Sequence, residues 1–199
     1  MGTPHTPHPA EAMLLAKVAP ALLERLRAVR LMAFDVDGIL TDGSLWYGES
    51  GEMLKRFNAL DGHGLRLLGE GGIVVALVTG RQGPIISRRA ADLGISIVHQ
   101  SVRDKSGTLD TLAREHGFTI NQVGYMGDDI IDLPAMQRAG FAASVPNAPA
   151  YVAQAAHWVA SHSGGAGAVR ECCDLILAAQ GRLGACLAPN AFILRGMSQ

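Results

Sequence analysis

The feature that most constrains this chain is a strict alternation of short apolar runs and helical segments between residues 31 and 145. Leu31–Phe34, 73–78, 95–99, 122–126 and 141–145 are apolar and short enough to be buried strands. Between them, 62–71, 84–93, 104–116 and 131–139 carry helical patterns. Gly94, Gly117 and Gly140 stand where a left-handed residue commonly ends a helix. Such alternation implies βαβ units, and hence an α/β, Rossmann-like parallel sheet with helices on both faces. Two short runs, 44–47 and 52–57, bracket a Gly-Glu-Ser-Gly segment and predict a small β-hairpin. A helical stretch over 11–30, interrupted at Pro20, precedes the first strand, and a final helix is expected over 166–179. The expected organisation is a disordered Pro/His tail at 1–10, one domain over 11–182, and a C-terminal tail at 183–199. A chain of 199 residues is long enough for one such core.

Charge and cysteine usage exclude several function classes. Lys and Arg total 17 against 18 Asp and Glu, so no basic face for nucleic acid is expected. The longest clean apolar run, Ile73 to Val78, is far short of the ~20 residues of a membrane span. No basic region followed by an apolar stretch opens the chain, so no secretory signal is expected. Cys172, Cys173 and Cys186 have neither metal-ligand spacing nor a disulfide framework, which points to a reducing cytoplasm. His5 and His8 could hold a metal, but a Pro/His tail accounts for them more simply. A dinucleotide-binding domain is disfavoured because no G-x-G-x-x-G follows the first strand.

In a parallel sheet the ligand sits at the carboxyl ends of the strands, so the residues there carry the function. The first strand ends in Asp35-Val-Asp37-Gly38 and the second in Thr79-Gly-Arg81. The helix after the third opens with Asp104-Lys105. The fourth ends in Gly127-Asp128-Asp129, with Asp132 one turn on. Residues i and i+2 leave a strand on one side, so Asp35 and Asp37 can converge on one substrate. Asp37 could instead serve only the following turn, and Asp129 and Asp132 could simply cap the next helix. Gathering Asp35, Asp37, Asp128 and Asp129 would cost about 4 kcal/mol per close pair at an effective dielectric of 20, so a cation is needed. With oxygen ligands only, a hard ion such as Mg²⁺ is expected. The Thr79 hydroxyl with adjacent amides, and the Lys105 ammonium, supply what a phosphoryl group requires.

The segments Phe34-Asp35-Val-Asp37-Gly38, Thr79, Lys105 and Gly127-Asp128-Asp129 resemble the four motifs of the haloacid-dehalogenase superfamily of phosphohydrolases. Over residues 28–182 the resemblance is closest to the 3-deoxy-D-manno-octulosonate 8-phosphate (KDO 8-phosphate) phosphatase family. It is carried by Asp35-Val-Asp-Gly-Ile-Leu-Thr-Asp-Gly43, Phe57-Asn58, Asp61-Gly62-His-Gly64, Val78-Thr-Gly-Arg81, Gly127-Asp-Asp-Ile-Ile-Asp132 and Gly164-Gly-Ala-Gly-Ala-Val-Arg-Glu171. The resemblance implies a capless domain and a homotetramer in which hairpins and C-terminal tails of neighbours close the site. It implies Asp35 as nucleophile, Asp37 as acid and base, and Thr79 and Lys105 as phosphoryl holders. Mg²⁺ would be held by Asp35, the Asp37 carbonyl and Asp128, with Asp129 and Asp132 behind them. Substrate contacts would fall on Asp37, Asn58, Asp61, Gly62, Arg66, Thr79, Arg81, Arg89 and Lys105. The chain departs from the family pattern at Leu60 and Ala166, where Arg is usual, and in the lead-in His99-Gln-Ser-Val-Arg-Asp104. A phosphatase for another acidic sugar phosphate, such as a sialic-type 9-phosphate, and a non-catalytic assembly module stay open as alternatives.

Overall fold

The computed structural model describes residues 8–187. Its elements in chain order are α1 (Pro9–Leu15), α2 (Pro20–Ala28), β1 (Leu31–Phe34), β2 (Trp46–Gly48), β3 (Gly51–Leu54), α3 (Ala59–Glu70), β4 (Val74–Val78), α4 (Pro84–Leu93) and β5 (Ile97–His99). There follow α5 (Lys105–Glu115), β6 (Val123–Met126), α6 (Leu133–Arg138), β7 (Phe141–Ser144), α7 (Ala150–Ala153), β8 (Trp158–Val159), α8 (Ala168–Ala179) and α9 (Leu183–Leu187). Six strands form one parallel sheet in the order β5-β4-β1-β6-β7-β8, and β2 and β3 form a separate antiparallel hairpin.

Alternation along the strands divides the core between two faces of the sheet. Leu31 and Ala33 of β1 pack with Leu109 and Leu112 of α5 and Met136 of α6. Met32 and Phe34 pack on the other face with Leu26 of α2, Leu68 of α3 and Ile176 of α8. A strand buried on both faces reads as a continuous apolar run, which is why Leu31–Phe34 shows no polar alternation. The order reverses at β1, where the chain builds β4 and β5 on one side and then crosses to β6 on the other. Phe34 pairs with Leu77 and with Met126, so the three central strands end nearly level. Asp35, Thr79 and Asp128 therefore leave the sheet at one edge, at the switch point where such sheets bind ligands.

Three expectations change at the periphery. The N-terminal tail gives way to helix at Pro9, because His8 caps α1 and the Glu11 side chain returns to the His8 amide. The C-terminal tail expected from 183 begins instead with α9, whose Gly184 amide donates to Glu11 at 2.8 Å. The expected tail residues 1–7 and 188–199 lie outside the described residues. At the sheet edge, α7 and the two-residue strand β8 are additional elements.

Candidate active site

Each site residue is placed by an identifiable local device. Asp35 follows β1 directly, and its amide donates to the Met126 carbonyl at 2.9 Å, which continues the ladder by one rung. Gly38 has φ +87°, and a Cβ there would lie 1.9 Å from Asp128 Oδ2. Only glycine lets the β1 loop turn so close to the β6 loop. Thr79 is held in the same way by its amide on the His99 carbonyl at 2.9 Å. Lys105 is the first residue of α5, whose N-cap Asp104 accepts from the Gly107 amide at 2.9 Å. A cation is poorly placed at a helix N-terminus unless carboxylates offset the dipole.

Those carboxylates are Asp35 and Asp132. Lys105 Nζ lies 3.0 Å from Asp35 Oδ1 and 2.6 Å from Asp132 Oδ1. Asp132 also accepts from the Tyr125 hydroxyl at 2.6 Å and from the amides of Asp128 and Asp129 at 3.1 and 3.0 Å. Both of its oxygens are thus committed to protein donors, and it fixes the lysine and the β6 loop together. Asp129 caps the 3₁₀ turn that leads into α6, accepting from the Ile130 amide at 2.7 Å. The capping role expected for Asp129 and Asp132 therefore coexists with a place around the carboxylates.

Electrostatically the cluster is short of positive charge. One carboxylate oxygen from each of Asp35, Asp128 and Asp132 falls within a 4.8 Å group. Burial pushes the Asp35 carboxyl up to about 7, with the Asp132 carboxylate adding to it and Lys105 opposing it. Burial likewise pushes Asp128 up to about 7, reinforced by Asp35, Asp132 and Asp129. For Lys105, burial works against the charge, but Asp35 and Asp132 outweigh it and hold the ammonium above its ordinary value. Asp128 Oδ1 is buried and has no hydrogen-bond partner. An orphaned carboxylate oxygen beside two further carboxylates, with no Cys or His in the group, fits a hard divalent cation. Asp35 and Asp128 are the ligands free to hold it, since Asp132 is spent on its four donors.

The cluster opens into a cavity of about 260 Å³ lined by Asp35, Asp37, Thr79, Arg81, Asp128 and Ile131, among others. Larger clefts lie elsewhere, about 530 Å³ beside Arg27, Arg30 and Arg182 and about 500 Å³ beside Phe57, Ile85 and Arg89. Neither gathers more than one carboxylate. Lys105, 3% exposed, sits behind Asp35 and is not among the lining residues.

Several residues expected at the substrate lie away from this cavity. Asp61 is 1% exposed, and its carboxylate accepts from the Gly167 and Arg170 amides at 3.2 and 2.8 Å. It anchors the N-terminus of α8, apart from the cavity at Asp35. Asn58 caps α3 through the Leu60 and Asp61 amides. Arg89 stacks on Phe57 at 5.5 Å and reaches the Asn58 carbonyl, with Gly62 packed against its guanidinium. Arg66 lines a separate cleft with Leu93 and Ile95. None of Asn58, Asp61, Gly62, Arg66 and Arg89 lines the cavity at Asp35 in its own chain. The departures Leu60 and Ala166 share a small groove with Leu14 and Arg170, also apart from the carboxylates.

The structure adds Lys55, Glu52 and Tyr47, which motif reading missed, and ties them to the expected Arg81. Lys55, just past β3, contacts Asp37 directly and Glu52 at 2.7 Å, with its side chain 1% exposed. Arg81 donates to the Tyr47 hydroxyl at 2.7 Å and lies 3.8 Å from Asp37 Oδ2. The hairpin is therefore tied to the cavity by charge. The available signal was only a Lys-Arg pair between the apolar residues Leu54 and Phe57, too weak to single out Lys55.

Parallel sheet, hairpin and carboxylate cluster together define a haloacid dehalogenase-like hydrolase, and the model of that family matches residues 89–170. The KDO 8-phosphate phosphatase KdsC of Haemophilus influenzae is 42% identical over 80% of this chain and 88% of its own length. The Salmonella typhimurium enzyme of the same name is 39% identical over 83% and 88%. A crystal structure of the Moraxella catarrhalis phosphatase, in complex with magnesium, phosphate and KDO, superposes with a TM-score of 0.82. It is 40% identical, over 84% of this chain and 96% of that one. A cobalt-bound Haemophilus influenzae structure gives a TM-score of 0.81 at 40% identity, over 85% and 99%. The chain belongs to the KDO 8-phosphate phosphatase family.

Proposed function

We propose that this protein is a Mg²⁺-dependent phosphatase that hydrolyses KDO 8-phosphate to KDO and inorganic phosphate, a step in making lipopolysaccharide precursors. The carrying observation is the convergence of Asp35, Asp37, Thr79 and Asp128 on one cavity, with Lys105 bonded to the nucleophile. Lys105 occupies Asp35 Oδ1 and leaves the second oxygen to attack phosphorus. Attack forms the Asp35–phosphorus bond as the bond to the sugar oxygen breaks, and Asp37 protonates the departing oxygen. Water then attacks phosphorus, Asp37 takes its proton, and Asp35 is released. Thr79 and its neighbouring amides hold the phosphoryl oxygens, with Lys105 supporting from behind Asp35. Mg²⁺ held by Asp35, Asp128 and the Asp37 carbonyl would neutralise phosphoryl charge so that an anionic nucleophile can approach.

The reading extends to a cytoplasmic homotetramer. Among the described residues no helix is long and apolar enough to cross a membrane. Trp46, Tyr47, Met53 and Leu54 are 57–63% exposed on the hairpin, an apolar surface that a neighbouring subunit would cover. Arg66 and Arg89, which do not face their own cavity, would meet substrate only across such a contact. The test is phosphate release from a panel of sugar phosphates, eight- and nine-carbon acidic sugars included, with Mg²⁺ and with excess chelator. Preference for KDO 8-phosphate, lost in chelator and in Asp35→Asn, is the expected result. A nine-carbon preference or metal-free turnover would overturn it.

A further inference from the structure

Asp37 must present one oxygen to the departing sugar and later the same oxygen to water. Its two oxygens are not equivalent in this structure. Lys55 takes Oδ1, whereas Oδ2 is buried and has no hydrogen-bond partner. Oδ2 lies 3.8 Å from Arg81 Nε, which is itself buried and unpartnered. Lys55 is not free to wander, because Glu52 holds it at 2.7 Å and its side chain is 1% exposed. A buried ammonium costs several kcal/mol unless its partners are well placed, and a hairpin of this size gains little stability from one. A surface lysine would have served the hairpin as well.

We infer that Lys55 is a positioning residue for the reaction: from the hairpin it clamps one oxygen of Asp37, so that the other faces the scissile bond. The inference rests on the reading of Asp37 as acid and base. As phosphorus bonds to Asp35 and parts from the sugar oxygen, the proton passes from Asp37 Oδ2 to that oxygen. When water attacks, its proton returns to Oδ2, and Asp37 ends as it began. Lys55 transfers no proton and touches no substrate atom. It fixes the carboxylate so that the same oxygen serves both steps. Glu52 acts one shell further out by holding Lys55, so the hairpin is part of the acid's mounting as well as a cover over the cavity.

The test uses leaving groups of different need. A sugar alkoxide requires a proton as it departs, whereas p-nitrophenolate does not, so a misdirected acid harms only the former. Values of kcat/KM for KDO 8-phosphate and p-nitrophenyl phosphate, which report events up to loss of the leaving group, are measured for the Mg²⁺-loaded full chain. Lys55→Met should lower kcat/KM for the sugar phosphate about 30-fold or more and leave p-nitrophenyl phosphate within about 3-fold. Lys55→Arg should recover part of the loss, and Glu52→Gln should reproduce it in weaker form if Lys55→Met folds poorly. Equal losses on both substrates would make Lys55 a structural or phosphate-binding group and overturn the inference, as would no loss at all. Asp37→Asn on the same pair separates the two readings. If Asp37→Asn discriminates between the substrates and the Lys55 variants do not, the clamp alone is wrong. If Asp37→Asn does not discriminate, the acid role falls and the clamp with it.

Discussion

Removing a carboxylate from the active site should make the metal-free protein more stable while leaving it inactive. Asp128 is the residue to change, because its Oδ1 has no hydrogen-bond partner to lose. Its carboxyl is moved from 3.8 to about 7, first by burial and then by Asp35, Asp132 and Asp129. The folded-state value lies above the unfolded one, so the native state binds the extra proton. Its cost is absent below about pH 4, grows as pH rises towards 7, and is complete above. About three units at 1.4 kcal/mol each is about 4 kcal/mol, and partial exposure with solvent screening halves it to roughly 2. For a domain of this size that is about 4–8 °C in Tm. Thermal melts in chelator at pH 5 and pH 8 are the assay. Asp128→Asn should melt slightly above the wild type at pH 5, where about a third of the cost is present, and further above it at pH 8. Mg²⁺ should then raise the wild type at pH 8 and barely move the variant. A variant that melts at or below the wild type at pH 8, or an equal gap at both pH values, would refute the reasoning.

Asp61→Ala should lower stability by about 2–3 kcal/mol in a denaturant titration, because two amides of α8 lose a buried acceptor. Its kcat per folded molecule should stay within a few-fold, and a large kcat loss without destabilisation would restore it to the substrate site. Gly164→Ala places a Cβ 1.7 Å from the Gly38 carbonyl oxygen. It should cost about 3 kcal/mol or more in a chemical melt and lower turnover as the β1 loop is displaced, whereas a wild-type melt would show that the loops part freely. Trp46→Glu should yield smaller, folded species in sedimentation velocity, with poor turnover. An active monomeric wild type would show that the hairpin works within its own chain.

The parts of the fold legible in the sequence were those set by local chemistry. The apolar runs and the glycines closing α4 and α5 placed β1, β4, β5, β6 and β7 to within about two residues. The two-residue β8 was not legible, because an edge strand carrying Trp158 and Val159 has no run to show. At the site, Asp35, Asp37, Thr79 and Asp128 could be read as converging because parallel strands deliver their carboxyl ends to one edge. The placement of Asp61 apart from the cavity at Asp35 was not legible, because a motif records which residue is present, not where its side chain points. Buried in α3, it turns to α8. Lys55 escaped because a lysine after a hairpin strand usually belongs to solvent, and only the packed hairpin shows it turned inward.

The loop that follows β1 leans on a segment made much later in the chain. The Gly165 amide donates to the Ile39 carbonyl at 2.9 Å, and Gly164 packs against Gly38. Contacts so distant in sequence close late, and they slow folding. During synthesis Asp35 and Asp37 emerge from the ribosome early, but their loop finds its brace only after more than 120 further residues. A chain that stalls before residue 164 carries Asp35, Asp37, Thr79, Lys105 and Asp128 but lacks the two glycines that pack on the β1 loop. The seating of the β1 loop thus depends on residues 164–165, and a nascent fragment ending before them lacks that brace.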